Sequence, residues 1–170
     1  MASNRVLKQH LETMNRIRLM TLRSLGPDLT TEHLFHQIDG KGSHILWLTA
    51  HCAISMDRLI NQYVFGSLAL SEQWRSTYGG GSTPNPNPAE NLSLPEALDG
   101  LQKVLAVVTE RLNGEDDSIL DRALPADSPV IARFQFNSHL IGFAAAHEAY
   151  HAGQITMLRK IQGLPAQTPA

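Results

Sequence analysis

A chain of 170 residues with 42% hydrophobic and 18% charged content has the balance of a globular protein with a sizeable core, which excludes a disordered chain. A net charge of −2 offers no basic field for nucleic acid, and no apolar run approaches the roughly 20 residues that span a bilayer. The single cysteine, Cys52, excludes an intrachain disulfide framework and, with an N-terminus lacking the apolar core of a signal peptide, predicts a cytoplasmic protein.

Segment 4–25 reads as a first helix. Val6, Leu7, Leu11, Met14, Ile17, Leu22 and Leu25 share one arc with His10, and Gly26-Pro27 stops it. A connection over 28–42 leads to a second helix at about 43–64 with Ser43 as its N-cap. Ile45, Leu48, Cys52, Met56, Leu59 and Tyr63 form its stripe, and His51 falls on the stripe's edge beside His44 and Ser55. From 66 to 91 the pattern breaks down, and 76–88, rich in glycine, proline and asparagine, reads as a long loop. Ser93-Leu94-Pro95-Glu96 is a capping box that opens a third helix over 93–112. The last helix begins at 130 or at 138, with Asn137 or Ser138 as the alternative N-cap, and runs to about 162. Four helices with apolar stripes and no convincing sheet predict an all-α four-helix bundle, a single domain over 1–170.

Chemistry concentrates in His147-Glu148-Ala149-Tyr150-His151-Ala152-Gly153-Gln154-Ile155. A helix advances 100° per residue, so His147 and His151 stack on one face and can share a divalent metal. With His147 taken as its centre, that face holds Leu140, Phe143, Ala144, Tyr150, His151, Gln154, Leu158 and Ile161. It reads as a buried stripe whose polar members need partners. His-Glu-x-x-His is also the zinc-peptidase spelling, with Glu148 as general base. After His151, however, no histidine, aspartate or glutamate follows to supply the third ligand. A peptidase therefore ranks last among the functional readings.

The third imidazole is expected upstream, at His51. Here the sequence resembles the DinB/YfiT-like superfamily: His-Glu-x-Tyr-His-x-Gly-Gln-Ile followed by Leu-Arg is similar to its C-terminal signature. Ile45-Leu46-Trp47-Leu48-Thr49-Ala50-His51 resembles its second-helix motif. The resemblance spans nearly the whole chain. It implies a DinB-like four-helix bundle, often a homodimer, with a divalent metal (zinc, nickel or iron) on His51, His147 and His151. Three neutral imidazoles suit such metals and leave coordination positions open. By the same resemblance the function is that of a metal-dependent hydrolase or a thiol-dependent S-transferase or isomerase. In the latter a low-molecular-weight thiol such as mycothiol, bacillithiol or glutathione is the co-substrate and a small molecule the acceptor. The alternative is a non-catalytic metal- or ligand-binding bundle.

Glu148, Tyr150 and Gln154 are the remaining catalytic candidates. Gln154, one turn beyond His151, is placed for a hydrogen bond to a ligand or a substrate, Tyr150 for the pocket wall, and Glu148 for a bond to a neighbouring helix. Cys52 points about 100° away from His51, into the core.

Overall fold

The computed structural model describes residues 3–165. Among them six α-helices form and no strand: α1 Arg5–Leu25, α2 Thr31–Phe35, α3 Ile45–Met56, α4 Glu72–Tyr78, α5 Leu94–Asn113 and α6 Asn137–Ile161. The four long helices close a ring, α1 against α6, α6 against α3, α3 against α5 and α5 against α1. This is the bundle the apolar periodicities predict.

Each long helix follows from its sequence. In α1 the buried positions Leu7, Leu11, Met14, Arg18, Thr21 and Leu25 recur at steps of four and three, and Gly26 leaves the helix at φ 62° ahead of Pro27. In α5 the Ser93 side chain accepts from the Glu96 amide while the Glu96 carboxylate accepts from the Ser93 amide at 2.7 Å. That capping box satisfies two of the helix's orphan donors. α3 is apolar nearly all round and buries every residue except Ser55, as a central helix should. A fully buried Leu or Ile in such a run contributes about 1.5–3 kcal/mol.

Five details differ from the sequence expectations. The N-cap of α3 is His44 rather than Ser43, its ring accepting from the Trp47 amide at 3.2 Å. The second helix does not continue as α-helix to 64: it passes into a π-helical segment, Asp57–Gln62. Buried Asp57 there accepts from the amides of Ala69 and Leu70, tying down the chain that follows. Two segments expected to lack helix contain one: residues 66–91 hold α4, and the connection over 28–42 holds α2. α6 begins at Asn137, and its preceding residue Phe136 makes no side-chain cap. Neither Asn137 nor Ser138 is its N-cap, since both already lie inside the helix, and Asn137 Nδ2 donates instead to the Ile119 carbonyl at 3.0 Å.

The fifth difference moves the site. The buried face of α6 keeps Leu140, Ala144, His151 and Leu158 of the expected stripe but also takes in Ile141, Ala145, Glu148, Ala152 and Ile155, so it is centred on Glu148, with His147 about 100° round the helix. Phe143, Tyr150 and Ile161, expected inside, are exposed, Tyr150 by 64%. A charge can occupy the centre because it is paired. The Glu148 carboxylate accepts from Arg18 Nε at 2.7 Å and Nη2 at 3.0 Å, with the Thr21 hydroxyl 3.0 Å away. Arg18 also donates to the Leu101 carbonyl, so one guanidinium links α1, α5 and α6.

Candidate metal centre

With Glu148 facing the core, His147 and His151 turn toward α3, where they meet His51. One ligand atom from each lies within 4.8 Å of the others. The ring centroids stand 4.4 Å apart for His147–His151, 4.9 Å for His51–His151 and 5.2 Å for His51–His147. His147 Nε2 lies 3.2 Å from His151 Nε2. Donors bound to one metal at about 2.0–2.1 Å in tetrahedral geometry are separated by about 3.3 Å, so this pair already has the required spacing.

The second ring nitrogen of two of these histidines is fixed by the fold. His51 Nδ1 lies 2.6 Å from the carbonyl oxygen of Tyr78. A carbonyl only accepts, so Nδ1 carries the proton and Nε2 presents its lone pair. Tyr78 is the last residue of α4, where helix carbonyls lack intrahelical partners. The loop beyond α4 continues this support. Trp47 stacks on His51 with centroids 4.4 Å apart and 12° between planes. The Trp47 indole N–H is held by the Thr77 carbonyl and the Ser82 hydroxyl, at 3.2 and 3.3 Å. On α6, His151 donates Nδ1–H to Gln154 Oε1 at 2.6 Å, while the Gln154 amide nitrogen donates to Tyr150 OH at 3.3 Å.

Burial sets the protonation state. Desolvation, with a smaller contribution from the neighbouring histidines, lowers His147 to about 4. Desolvation likewise lowers His51 to about 4 against the opposing Tyr78 hydrogen bond. His151 is lowered by burial and partly restored by Gln154. The imidazoles are therefore neutral near pH 7, the form that ligates. Neutral nitrogen donors, two with Nδ1 bonded to an oxygen, make a donor set that fits a divalent transition metal.

The other sequence candidates fall elsewhere. Glu148 is 1% exposed and engaged with Arg18, outside the imidazole cluster. Tyr150 reaches the cluster only through Gln154 and by an edge contact of its ring with His151, centroids 5.1 Å apart. His44 is buried between the carbonyls of Leu34 and Asn85. His139 accepts from the Gln135 amide, and His10 is half-buried near Gly142. Cys52 is buried, and burial pushes its thiol up. Sequence patterning does not find the Tyr78 carbonyl, a backbone group. It also passes over Arg58, although the spacing of seven from His51 places it on the same helical face. Arg58, Ser55 and Phe143 line a cavity of about 220 Å³ that opens against His51 and His147.

A ring of four helices with an open-sided histidine triad between two of them defines a class of helical-bundle proteins with a candidate metal site. The chain belongs to the DinB superfamily, whose family model matches residues 15–155. No curated protein matches it. No helix among the described residues is long and apolar enough to cross a membrane.

Proposed function

We propose that this chain is a metal-dependent enzyme in which His51, His147 and His151 hold one divalent transition metal (zinc, nickel or iron). It acts on a small molecule, as a thiol-dependent S-transferase or isomerase or as a hydrolase. The observation that carries this is the triad itself: three neutral imidazoles from two helices converge, and two of them, His51 and His147, line a cavity. A metal held by these three imidazoles would supply Lewis acidity, which makes a water or a thiol a nucleophile near neutral pH.

The residues of the chain have separate tasks. The Tyr78 carbonyl and Gln154 aim the Nε2 lone pairs of His51 and His151. Trp47 holds the His51 ring in plane. Phe134 and Phe143, with ring centroids 5.1 Å apart, wall the cavity and limit water around a reacting group. Glu148 is occupied by Arg18, which leaves the zinc-peptidase reading without its base. Residues 1–170 are taken as one domain. In the same reading the protein works in the cytoplasm as a homodimer, supported by Leu19, Met20, Met157 and Ile161, apolar and exposed on α1 and α6.

The test compares metal-loaded and chelator-treated protein, with mycothiol, bacillithiol or glutathione and a panel of electrophiles and esters. Turnover that requires the metal, with one thiol or with water, is expected. A metal-loaded protein that turns over nothing and whose melting temperature collapses on chelation would instead assign the metal a structural role.

A further inference from the structure

The cavity beside the triad carries two arginines and no acid. Arg58 and Arg133 both line it, and none of its lining residues is an aspartate or glutamate. The two fully buried arginines of the fold are paired: Arg18 with Glu148, and Arg159 with Asp28 at 2.8 Å. Among the described residues neither Arg58 nor Arg133 forms an ion pair. Arg58 is held in place by other means. Its Nη2 donates to Tyr63 OH at 2.8 Å and its guanidinium lies 5.8 Å from the centre of the Tyr63 ring. Its Nε is buried without a hydrogen-bond partner, as is that of Arg159, which leaves the Nη groups as the ones a ligand in the cavity can meet.

The backbone contributes as well. Arg58 and Leu59 lie in the π-helical segment Asp57–Gln62, and Tyr63 is its C-cap. Such segments are rare and frequently mark functional sites. Here the segment brings all three residues to the wall of one cavity. A planar guanidinium fork matches a carboxylate bidentately, while Leu59, Val130, Phe134 and Phe143 offer apolar surface to the remainder of a ligand.

We propose that this cavity selects small organic acids with an apolar body, the carboxylate anchored by Arg58 and Arg133 and the rest of the molecule directed toward the histidine triad. The inference names a substrate class for the site of the proposed function and rests on that reading for its catalytic meaning.

The test is calorimetric binding of phenylacetate and of phenylacetamide, its uncharged counterpart, to metal-free and zinc-loaded protein. Metal-free protein is expected to bind the acid at least about tenfold more tightly than the amide, as a charge-assisted contact requires. Arg133→Gln and Arg58→Gln should each remove most of that preference. Arg133 is exposed, so its variant keeps the test decisive if Arg58→Gln does not fold. Equal binding of the two probes, no binding of either, or a preference that survives both substitutions overturns the inference. A protein that prefers the acid but takes up no metal contradicts the metal reading alone. One that binds metal without preferring the acid contradicts the arginine anchor alone.

Discussion

His51 donates its Nδ1 proton to the carbonyl oxygen of Tyr78 at 2.6 Å, so a helix of seven residues, α4, sets the orientation of an imidazole on α3. α4 is itself positioned from α5. A Cβ built on Gly100 would lie 2.3 Å from the Trp74 ring, and the Trp74 and Tyr78 rings meet at 5.9 Å. Glycine is required at position 100 by this close approach. Gly100→Ala should push Trp74 outward, shift the Tyr78 carbonyl and weaken metal binding by about tenfold, the size of effect seen when a ligand loses its orienting partner. Competition with a chromogenic chelator measures it; unchanged affinity would show that α4 does not orient His51.

The ion pair of Arg18 with Glu148 predicts a stability effect rather than a catalytic one. Both side chains are buried, so removing one partner strands a charge in the core. Arg18→Ala should destabilise by about 3–5 kcal/mol, read by urea denaturation. Glu148→Gln should also lower the urea midpoint, while the folded fraction retains its capacity for metal. Loss of turnover at unchanged stability would point instead to a general base.

Acid should destabilise the metal-free protein. The folded values of His51 and His147 lie at about 4, below the unfolded value near 6.5. Above that unfolded value both states are neutral and these groups contribute no pH dependence. As pH falls from about 6.5 to about 4 the unfolded chain takes up protons that the folded chain refuses, and stability drops. Below about 4 both states are protonated, and the loss from these two groups levels off. Urea midpoints at pH 7.5 and 4.5 should differ accordingly, and replacing His147 with asparagine should shrink the difference. A pH dependence unaffected by that substitution would mean that the histidine is not held neutral.

The bundle was legible in the sequence because its periodicities and stop signals are local. The steps of α1, the capping box at Ser93 and the Gly26-Pro27 terminus each carry their own physical instruction. The grouping of the three histidines was anticipated by the spacing of four on α6 together with the resemblance of the tryptophan-led run on α3 to the superfamily's second-helix motif. The facing of α6 was not, because a buried Glu148 is indistinguishable from a solvated one until Arg18, 130 residues away in sequence, is seen beside it. Polar residues read as a surface face, so the expected inner stripe was rotated toward Phe143 and Tyr150. α4 escaped notice because it spans only seven residues, too few for periodicity to register. Its contribution, a backbone carbonyl, leaves no mark on residue identity.

The central claim, one divalent metal on His51, His147 and His151, is tested most directly by metal content. Tag-free protein is reconstituted with zinc, nickel or iron, dialysed and measured by mass spectrometry of the elements. About one equivalent is expected for the native sequence, falling below about a tenth in His51→Ala and in His147→Ala. Native protein that stays below about a tenth of an equivalent after reconstitution, or a His51→Ala variant that keeps its full complement, would contradict it.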